Sequence, residues 1–299
     1  LNFNSFAFHP TIIQGIADAG YTTPTAIQEK AMPEILNGRD VVGLAQTGTG
    51  KTAAFVLPIL NRLINGPRGR VGALIIAPTR ELAEQIHLSI EALGRRTRLR
   101  SAVVYGGVGI VPQIQALKHA EIVVACPGRL LDHIGRGTVD LSRLEVLVLD
   151  EADQMFDMGF FPDIRRILTH VPQQQRQTLL FSATMPAQIR SLADDILHHP
   201  VSVKIGSTAP AETVSHALFP VARHLKTALL LKLLNHGDLS SVLVFTRTKF
   251  RAKSLGEKLA KAGFRSASLQ GNLSQGRRQA ALDGFRSGKF QVLVATDIA

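Results

Sequence analysis

Apolar residues in this chain come in short unbroken runs, separated by stretches where apolar and polar positions recur at helical spacing. The runs Val41-Val42-Gly43-Leu44, Ala73-Leu74-Ile75-Ile76, Ala102-Val103-Val104-Tyr105, Ile122-Val123-Val124, Val146-Leu147-Val148-Leu149 and Leu179-Leu180-Phe181 do not alternate. A strand with no polar face is covered on both sides, as in a parallel sheet sandwiched between helices. Helices are predicted between the runs, for example over Arg80 to Leu93 and Ala187 to Leu197. This alternation predicts an α/β fold with an open parallel sheet. At Gly206-Ser207-Thr208-Ala209-Pro210 small residues and a proline break the pattern. A second alternating series then begins, with strands predicted at Leu218-Phe219-Pro220-Val221, Val242-Leu243-Val244-Phe245, Ser266-Ala267-Ser268-Leu269 and Val292-Leu293-Val294-Ala295. The expected organisation is a first domain over residues 1–206, a linker at 207–213 and a second, similar domain over 214–299. Only four residues follow the last strand, so the second domain is expected to be truncated.

Composition narrows the function. A length of 299 residues suits two domains at ~150 residues each. No apolar run reaches the ~18 residues of a membrane span, and the N-terminus lacks the pattern of a signal peptide. Cys126 is the sole cysteine, which excludes an internal disulfide and a cysteine metal cluster. A cytoplasmic location is expected. The net charge of +11 favours a polyanionic partner. The basic run Arg95-Arg96-Thr97-Arg98 reads equally well as a solvated loop. With no tryptophan and two tyrosines, stacked aromatics are not expected to carry nucleic-acid binding.

The chemistry lies at the strand ends. Ala45-Gln46-Thr47-Gly48-Thr49-Gly50-Lys51-Thr52 follows a buried strand and opens a helix. Glycines let such a loop turn its backbone N–H groups toward phosphates, and the helix N-terminus adds partial positive charge. Lys51 would neutralise the β- and γ-phosphates, and the Thr52 hydroxyl would ligate Mg²⁺. The pattern usually begins with glycine; Ala45 stands here at little expected cost. Asp150-Glu151-Ala152-Asp153 ends the run Val146–Leu149, and a carboxylate at that end of a parallel strand faces the ligand crevice. Asp150 is placed to hold hydrated Mg²⁺, and Glu151 to orient and deprotonate a water. Together the two motifs indicate a P-loop NTPase using Mg²⁺.

Seven further motifs occur in order: Pro78-Thr79-Arg80-Glu81-Leu82-Ala83, Gly106-Gly107, Pro127-Gly128-Arg129, Ser182-Ala183-Thr184, Val244-Phe245-Thr246-Arg247, Gln270-Gly271-Asn272 and Ala295-Thr296-Asp297. With the first two they make the whole chain resemble the DEAD-box RNA helicases, built on two tandem RecA-like domains. The stretch Asp153 to Phe160 is most similar to the bacterial RhlE-like branch. The resemblance implies an ATP-dependent RNA helicase that unwinds locally. An ATP-gated RNA clamp is the alternative, and the motif set argues against a DNA translocase.

The resemblance also implies residue roles. Gln28, within Pro24-Thr25-Ala26-Ile27-Gln28, would read adenine through both ends of its amide. Tyr21 would stack on the base. Either Tyr21 or the upstream Phe3 could instead be a core aromatic. Pro78, Thr79, Arg80, Gly106, Gly107, Pro127, Gly128 and Arg129 would hold RNA by phosphates and 2′-hydroxyls, giving sequence-independent binding. A structural ion pair is the other reading of Arg80 and Arg129. Ser182 and Thr184 would couple ATP state to strand separation, with their hydroxyls on Asp153; a helix cap is the other reading of that motif. In the second domain Thr246, Arg247, Gly271 and Thr296 match RNA-contacting positions, and Asp297 a position near the ribose.

Cys126 departs from the threonine usual before Pro-Gly-Arg, and a small buried residue is expected there. The late arginine-rich motif of the family is absent, so weak ATP binding and poor hydrolysis are expected of these residues alone. Single-stranded or short duplex RNA is the expected partner, with ribosomal or RNA-degrading assemblies as further candidates. A monomer with no membrane association is expected.

Overall fold

The computed structural model describes residues 2–173, 176–206, 214–237 and 239–296. Two compact units divide the chain, Leu1–Thr208 and Ala209–Ala299.

In the first unit a 3-10 turn, Phe3–Phe6, leads into helices α1 (Pro10–Asp18) and α2 (Ala26–Leu36). Strands and helices then alternate: β1 (Val41–Leu44), α3 (Lys51–Leu63), β2 (Ala73–Ile76), α4 (Arg80–Leu93), β3 (Ser101–Val104), α5 (Ile110–Leu117), β4 (Ile122–Ala125), α6 (Pro127–Gly135) and β5 (Val146–Leu149). Helices α7 (Ala152–Asp157) and α8 (Phe161–Leu168) precede β6 (Gln177–Ser182), and α9 (Ala187–Ile196) precedes β7 (Val201–Lys204). The seven strands are all parallel, in the order β3-β4-β2-β5-β6-β1-β7.

The unbroken apolar strands are explained by packing on both faces. Ile75 points into one core layer, with Ile12, Ile27, Phe55 and Ile86 from α1 to α4. Its neighbours Leu74 and Ile76 point into the other, with Leu117, Leu130, Met155, Ile164 and Ile189 from α5 to α9. Each such side chain contributes about 1.5–3 kcal/mol of burial. The first half of the helices therefore covers one face and the second half the other.

Two expectations on this unit are corrected. Strand β7 was not anticipated: Val-Ser-Val-Lys alternates because it is an edge strand beside β1, with mainly Val203 facing the core. The run predicted at Ala102–Tyr105 is shifted by one residue, to Ser101–Val104.

The second unit holds a 3-10 turn at Arg223–Leu225, then α10 (Lys226–His236), β8 (Val242–Phe245), α11 (Lys249–Lys261), β9 (Ser266–Leu269), α12 (Gln275–Arg286) and β10 (Val292–Ala295). Its parallel sheet has the order β8-β10-β9. The strand predicted at Leu218–Val221 does not form among the described residues. Pro220 has no N–H to offer a ladder, and Leu218 is 90% exposed, so neither pairing nor burial favours it. The linker predicted at 207–213 lies outside the described residues.

Candidate nucleotide and RNA sites

Because the strands of the first unit are parallel, their C-terminal ends share one edge. The sheet order sorts the motifs along it. Strands β5, β6 and β1 are neighbours and carry the acidic run, Ser182-Ala183-Thr184 and the phosphate loop. Strands β3, β4 and β2 are neighbours too, and lead into Gly106-Gly107, Pro127-Gly128-Arg129 and Pro78-Thr79-Arg80.

At the β1 end the loop of residues 45–50 is tied down by Ala45, whose N–H donates to the Ser182 carbonyl at 3.1 Å. Ala45 is buried and has an ordinary negative φ, so the position does not call for glycine. Gly48 and Gly50 have φ of +85° and +94°, which a side chain would strain. Gly50 has a second constraint: a Cβ there would lie 2.6 Å from Gln28 Nε2 and 2.8 Å from Thr25 Oγ1. The Thr49 hydroxyl closes the loop on the Gln46 carbonyl at 2.7 Å. Thr47 reaches across the crevice, donating to Glu151 Oε1 at 3.3 Å.

Helix α3 begins at Lys51. The Lys51 Nζ is buried and has no hydrogen-bond partner in the protein. A buried ammonium without partners is costly, and an anionic ligand is what would satisfy it. Thr52 follows in the first turn of the same helix.

The Asp150 carboxyl faces the same crevice, 2% exposed. Burial pushes its pKa up to about 7, against the pull of Lys51. A carboxylate desolvated this far gains from a nearby cation. These groups fit a Mg²⁺–triphosphate: an unpartnered ammonium for phosphate oxygens, and a desolvated carboxylate for the metal. Among the described residues no group of three or more His, Cys, Asp or Glu side chains could hold a metal alone.

Glu151 caps α7 in the left-handed region, at φ +53° and ψ +53°. For a non-glycine residue this costs of order 1–3 kcal/mol. Its N–H donates to Asp150 Oδ1 at 3.0 Å, and its side chain turns toward Thr47.

Asp153 joins β5 to β6. Its Oδ2 accepts from the N–H of Ala183 (3.2 Å), the N–H of Thr184 (2.9 Å) and the Thr184 hydroxyl (3.0 Å). The Asp153 N–H donates to Ser182 Oγ at 3.2 Å. The Thr184 hydroxyl thus bonds the carboxylate as expected, whereas the Ser182 hydroxyl bonds the backbone. The helix-cap alternative does not hold, since α9 starts at Ala187 with no side-chain cap.

Gln28 is buried at N3 of α2. Its Oε1 accepts from the Thr25 N–H (2.9 Å), completing a capping box, and its Nε2 donates to the Gly50 carbonyl (3.0 Å). One N–H and one lone pair of the amide remain. Tyr21 is 42% exposed and stacks on Phe3 with ring centroids 6.3 Å apart. Phe3 is therefore the core aromatic, and one face of Tyr21 stays accessible.

In the other half of the edge, the Arg80 guanidinium lies against Gly107; a Cβ on Gly107 would come within 2.2 Å of Nη1. The glycine, at φ +83°, makes room for the arginine. Thr79 caps α4, its hydroxyl accepting from the Leu82 N–H at 3.2 Å. Arg129 donates to the Val108 carbonyl at 3.1 Å and lies 3.7 Å from Asp132, so part of its role is structural. Cys126 is buried at the N-cap of α6 and makes no side-chain cap bond. Burial pushes its thiol up to about 12, against the pull of Arg80.

Sequence reasoning missed the support beneath this half. The Gln113 Nε2 of α5 donates to the carbonyls of Tyr105 and Gly109, both at 3.2 Å, bracketing Gly106-Gly107. Its Oε1 lies 3.4 Å from His133 Nε2 on α6, and His133 Nδ1 is 2.8 Å from the Thr138 hydroxyl. The available signal was a glutamine on an otherwise buried helical position.

In the second unit Thr246, Gly271 and Thr296 directly or closely follow β8, β9 and β10, at one edge of that sheet. The Thr246 hydroxyl lies 3.3 Å from the Thr248 carbonyl and 3.4 Å from that of Ala295. Arg247 and Gly271 are exposed. Asp297 lies outside the described residues.

A glycine-turned loop at a helix start, facing a buried acidic strand end, is the layout of a P-loop nucleotide site. Comparison with known proteins refines that class. The DEAD/DEAH box helicase model matches residues 25–192, and the helicase conserved C-terminal domain model matches 225–299. The chain belongs to the DEAD/DEAH box helicase family. It is 41% identical over 300 residues to the DEAD-box ATP-dependent RNA helicase RhpA of Helicobacter pylori, covering all of this chain and 60% of the relative. It is 43% identical to the ATP-dependent RNA helicase DeaD of Mycobacterium tuberculosis, covering 99% of this chain and 53% of the relative. The chain thus spans somewhat over half the length of these relatives. Among solved structures it is similar to a DEAD box protein from Methanococcus jannaschii, with 38% identity, TM-score 0.66, and 99% and 80% of the two chains covered. It is also similar to Saccharomyces cerevisiae Dbp5 bound to RNA and ADP BeF3, with 29% identity, TM-score 0.90, and 99% and 76% covered.

Proposed function

We propose that this chain is the core of an ATP-dependent RNA helicase, using Mg²⁺ and binding RNA by its backbone. The observation that carries the proposal is the buried, unpartnered Lys51 Nζ in the crevice that also holds the desolvated Asp150 carboxyl. The names of the relatives, and the RNA bound to the yeast structure, favour RNA as partner.

Mg²⁺, when bound, would neutralise charge on the triphosphate, with Thr52 and Asp150 as the protein groups to hold it. Lys51 and the N–H groups of the loop bind phosphate oxygens. Gln28 offers its remaining N–H and lone pair to adenine, beside the exposed face of Tyr21. Glu151 orients a water and accepts its proton on the carboxylate; Thr47 keeps that carboxylate in the crevice until substrate arrives. Asp153, bonded to Thr184, ties the end of β5 to the end of β6 within the nucleotide half of the edge. Arg80, Arg129 and the N–H groups around Gly106-Gly107 hold phosphates and 2′-hydroxyls of RNA. On the second unit by itself, Thr246, Arg247, Gly271 and Thr296 are the groups that would contact RNA.

The test is ATP hydrolysis by this chain with and without RNA, followed by release of a short labelled duplex. Weak hydrolysis, raised at most modestly by RNA and lost in Lys51→Ala and Glu151→Gln, is expected. Equal stimulation by DNA, or hydrolysis insensitive to both substitutions, would overturn the reading.

A further inference from the structure

The basic run Arg95-Arg96-Thr97-Arg98 has no part in either candidate site. It lies at the opposite edge of the sheet, where loops enter the N-terminal ends of the strands. Three such loops lead into the neighbouring strands β2, β4 and β3: residues 64–72, 118–121 and 94–100.

One buried carboxylate fastens them together. Glu121 is 4% exposed; its Oε1 accepts from the Gly69 N–H and its Oε2 from the Arg100 N–H, both at 2.8 Å. Its own N–H donates to the Arg100 carbonyl at 3.0 Å, and its carbonyl accepts from Gly72 at 2.8 Å. Arg68 donates from Nη2 to the carbonyls of Ile64 (2.9 Å) and Thr97 (3.4 Å). Thr97 closes its turn on the Gly94 carbonyl at 2.6 Å and accepts from Leu99 at 3.2 Å. Arg98 sits in the left-handed region at φ +60°. Bonds from backbone N–H to a buried carboxylate are among the strong ones, so these loops are held in place.

What the frame presents is positive. Arg68, Arg95, Arg98, Arg100 and Lys118 are all exposed, and among the described residues none of them forms an ion pair. The nearby acids are used elsewhere. Glu121 is internal, Asp18 is paired with Arg96 at 2.7 Å, and Glu145 is bound by Arg62 and Arg70. Four of the five cations are arginines, whose planar fork matches phosphate oxygens.

We propose that this edge of the first unit is a second contact surface for the RNA phosphodiester backbone. Choosing RNA as the polyanion rests on the proposed function; the surface itself does not. The four-residue strands place the two edges at least ~13 Å apart, so a short strand held at Gly106-Gly107 does not reach it. A longer RNA, folding around the unit, does. The surface therefore acts on affinity for long RNA and leaves turnover at saturating RNA unchanged.

The experiment compares wild type with Arg68→Gln/Arg95→Gln/Arg98→Asn/Arg100→Gln, the asparagine chosen because it tolerates left-handed backbone. A version with lysine at all four positions keeps the charge. Binding of a 10-nucleotide strand and of a long structured RNA is measured over a salt series with an ATP analogue present. The expected result is at least a 10-fold loss of affinity for the long RNA and a smaller salt slope, by roughly 3 or more. Binding of the short strand and kcat at saturating RNA stay unchanged, melting temperature falls only slightly as the two Arg68 bonds are lost, and the lysine version retains most of the affinity. Unchanged long-RNA binding overturns the proposal. So does an equal loss for both RNAs, or a preference of this surface for an acidic polypeptide over RNA in competition. Failure of wild type to bind either RNA overturns the proposed function as well, whereas short-strand binding without a long-RNA effect overturns this surface alone.

Discussion

Gly107 and Cys126 show how single positions shape the half of the edge proposed to hold RNA. Gly107→Ala puts a methyl into the Arg80 guanidinium and strains a backbone at φ +83°. We expect it to cost about 1 kcal/mol or more and to weaken RNA binding at least 10-fold. Binding of a fluorescent ATP analogue should be unchanged; a matching loss of ATP affinity would contradict the division of the edge. Cys126 is the opposite case. Its buried thiol caps nothing at the start of α6, and threonine would supply an N-cap acceptor. Cys126→Thr should raise stability by about 1 kcal/mol in thermal melts, with RNA affinity kept or tightened. At this scale the sequence was a fair guide to chemistry and a poor one to partners. Phe3 and Tyr21 are equivalent by residue type, yet only packing shows that one is buried and the other presents a face. Gln28 announced an amide, but not that half of it is already engaged by Thr25 and Gly50.

At the scale of elements, the pairing of α5 with α6 carries a pH signature. His133 is fully buried, and burial, aided by Arg129, lowers its pKa below the ordinary 6.5. The unfolded chain therefore takes up the proton more readily than the folded one. Stability from this group is complete above pH 6.5 and is lost as pH falls from there toward the lowered value. Wild type should lose more melting temperature between pH 7.5 and 5.5 than His133→Gln does; parallel losses would refute this. The junction of β5 and β6 gives another prediction. Asp153→Ala removes all three bonds to Oδ2 and should destabilise the first unit by about 2–3 kcal/mol. Duplex release should suffer more than basal hydrolysis, measured side by side. Elements were legible where burial was two-sided, as in β1, β2 and β5. They were misread where it was not. Strand β7 alternates at an edge, and Leu218–Val221 looks like a strand but meets no partner.

At the scale of the whole molecule, the first unit has its own two-layered core around a complete run of seven strands. A fragment of residues 1–206 should therefore fold alone and melt in one cooperative transition, checked by circular dichroism; a broad, non-cooperative melt would show that it needs the rest of the chain. The order of strands could not be read from the sequence, because every apolar run is equally able to pair with any other. Only the tertiary arrangement reveals that β5, β6 and β1 stand together and that Glu121 clasps loops far apart in sequence.

That strand order bears on how such a protein changes over generations. The loops after β3 and β4 are separated from the phosphate loop by three strands, β2, β5 and β6. Under the proposed function, substitutions there would alter which nucleic acid is gripped without disturbing the groups proposed to handle ATP. A library randomised at residues 108–111 and 131–132 should consequently be rich in variants with new RNA preferences and intact nucleotide turnover. The same diversity at residues 46–49 should be mostly inactive.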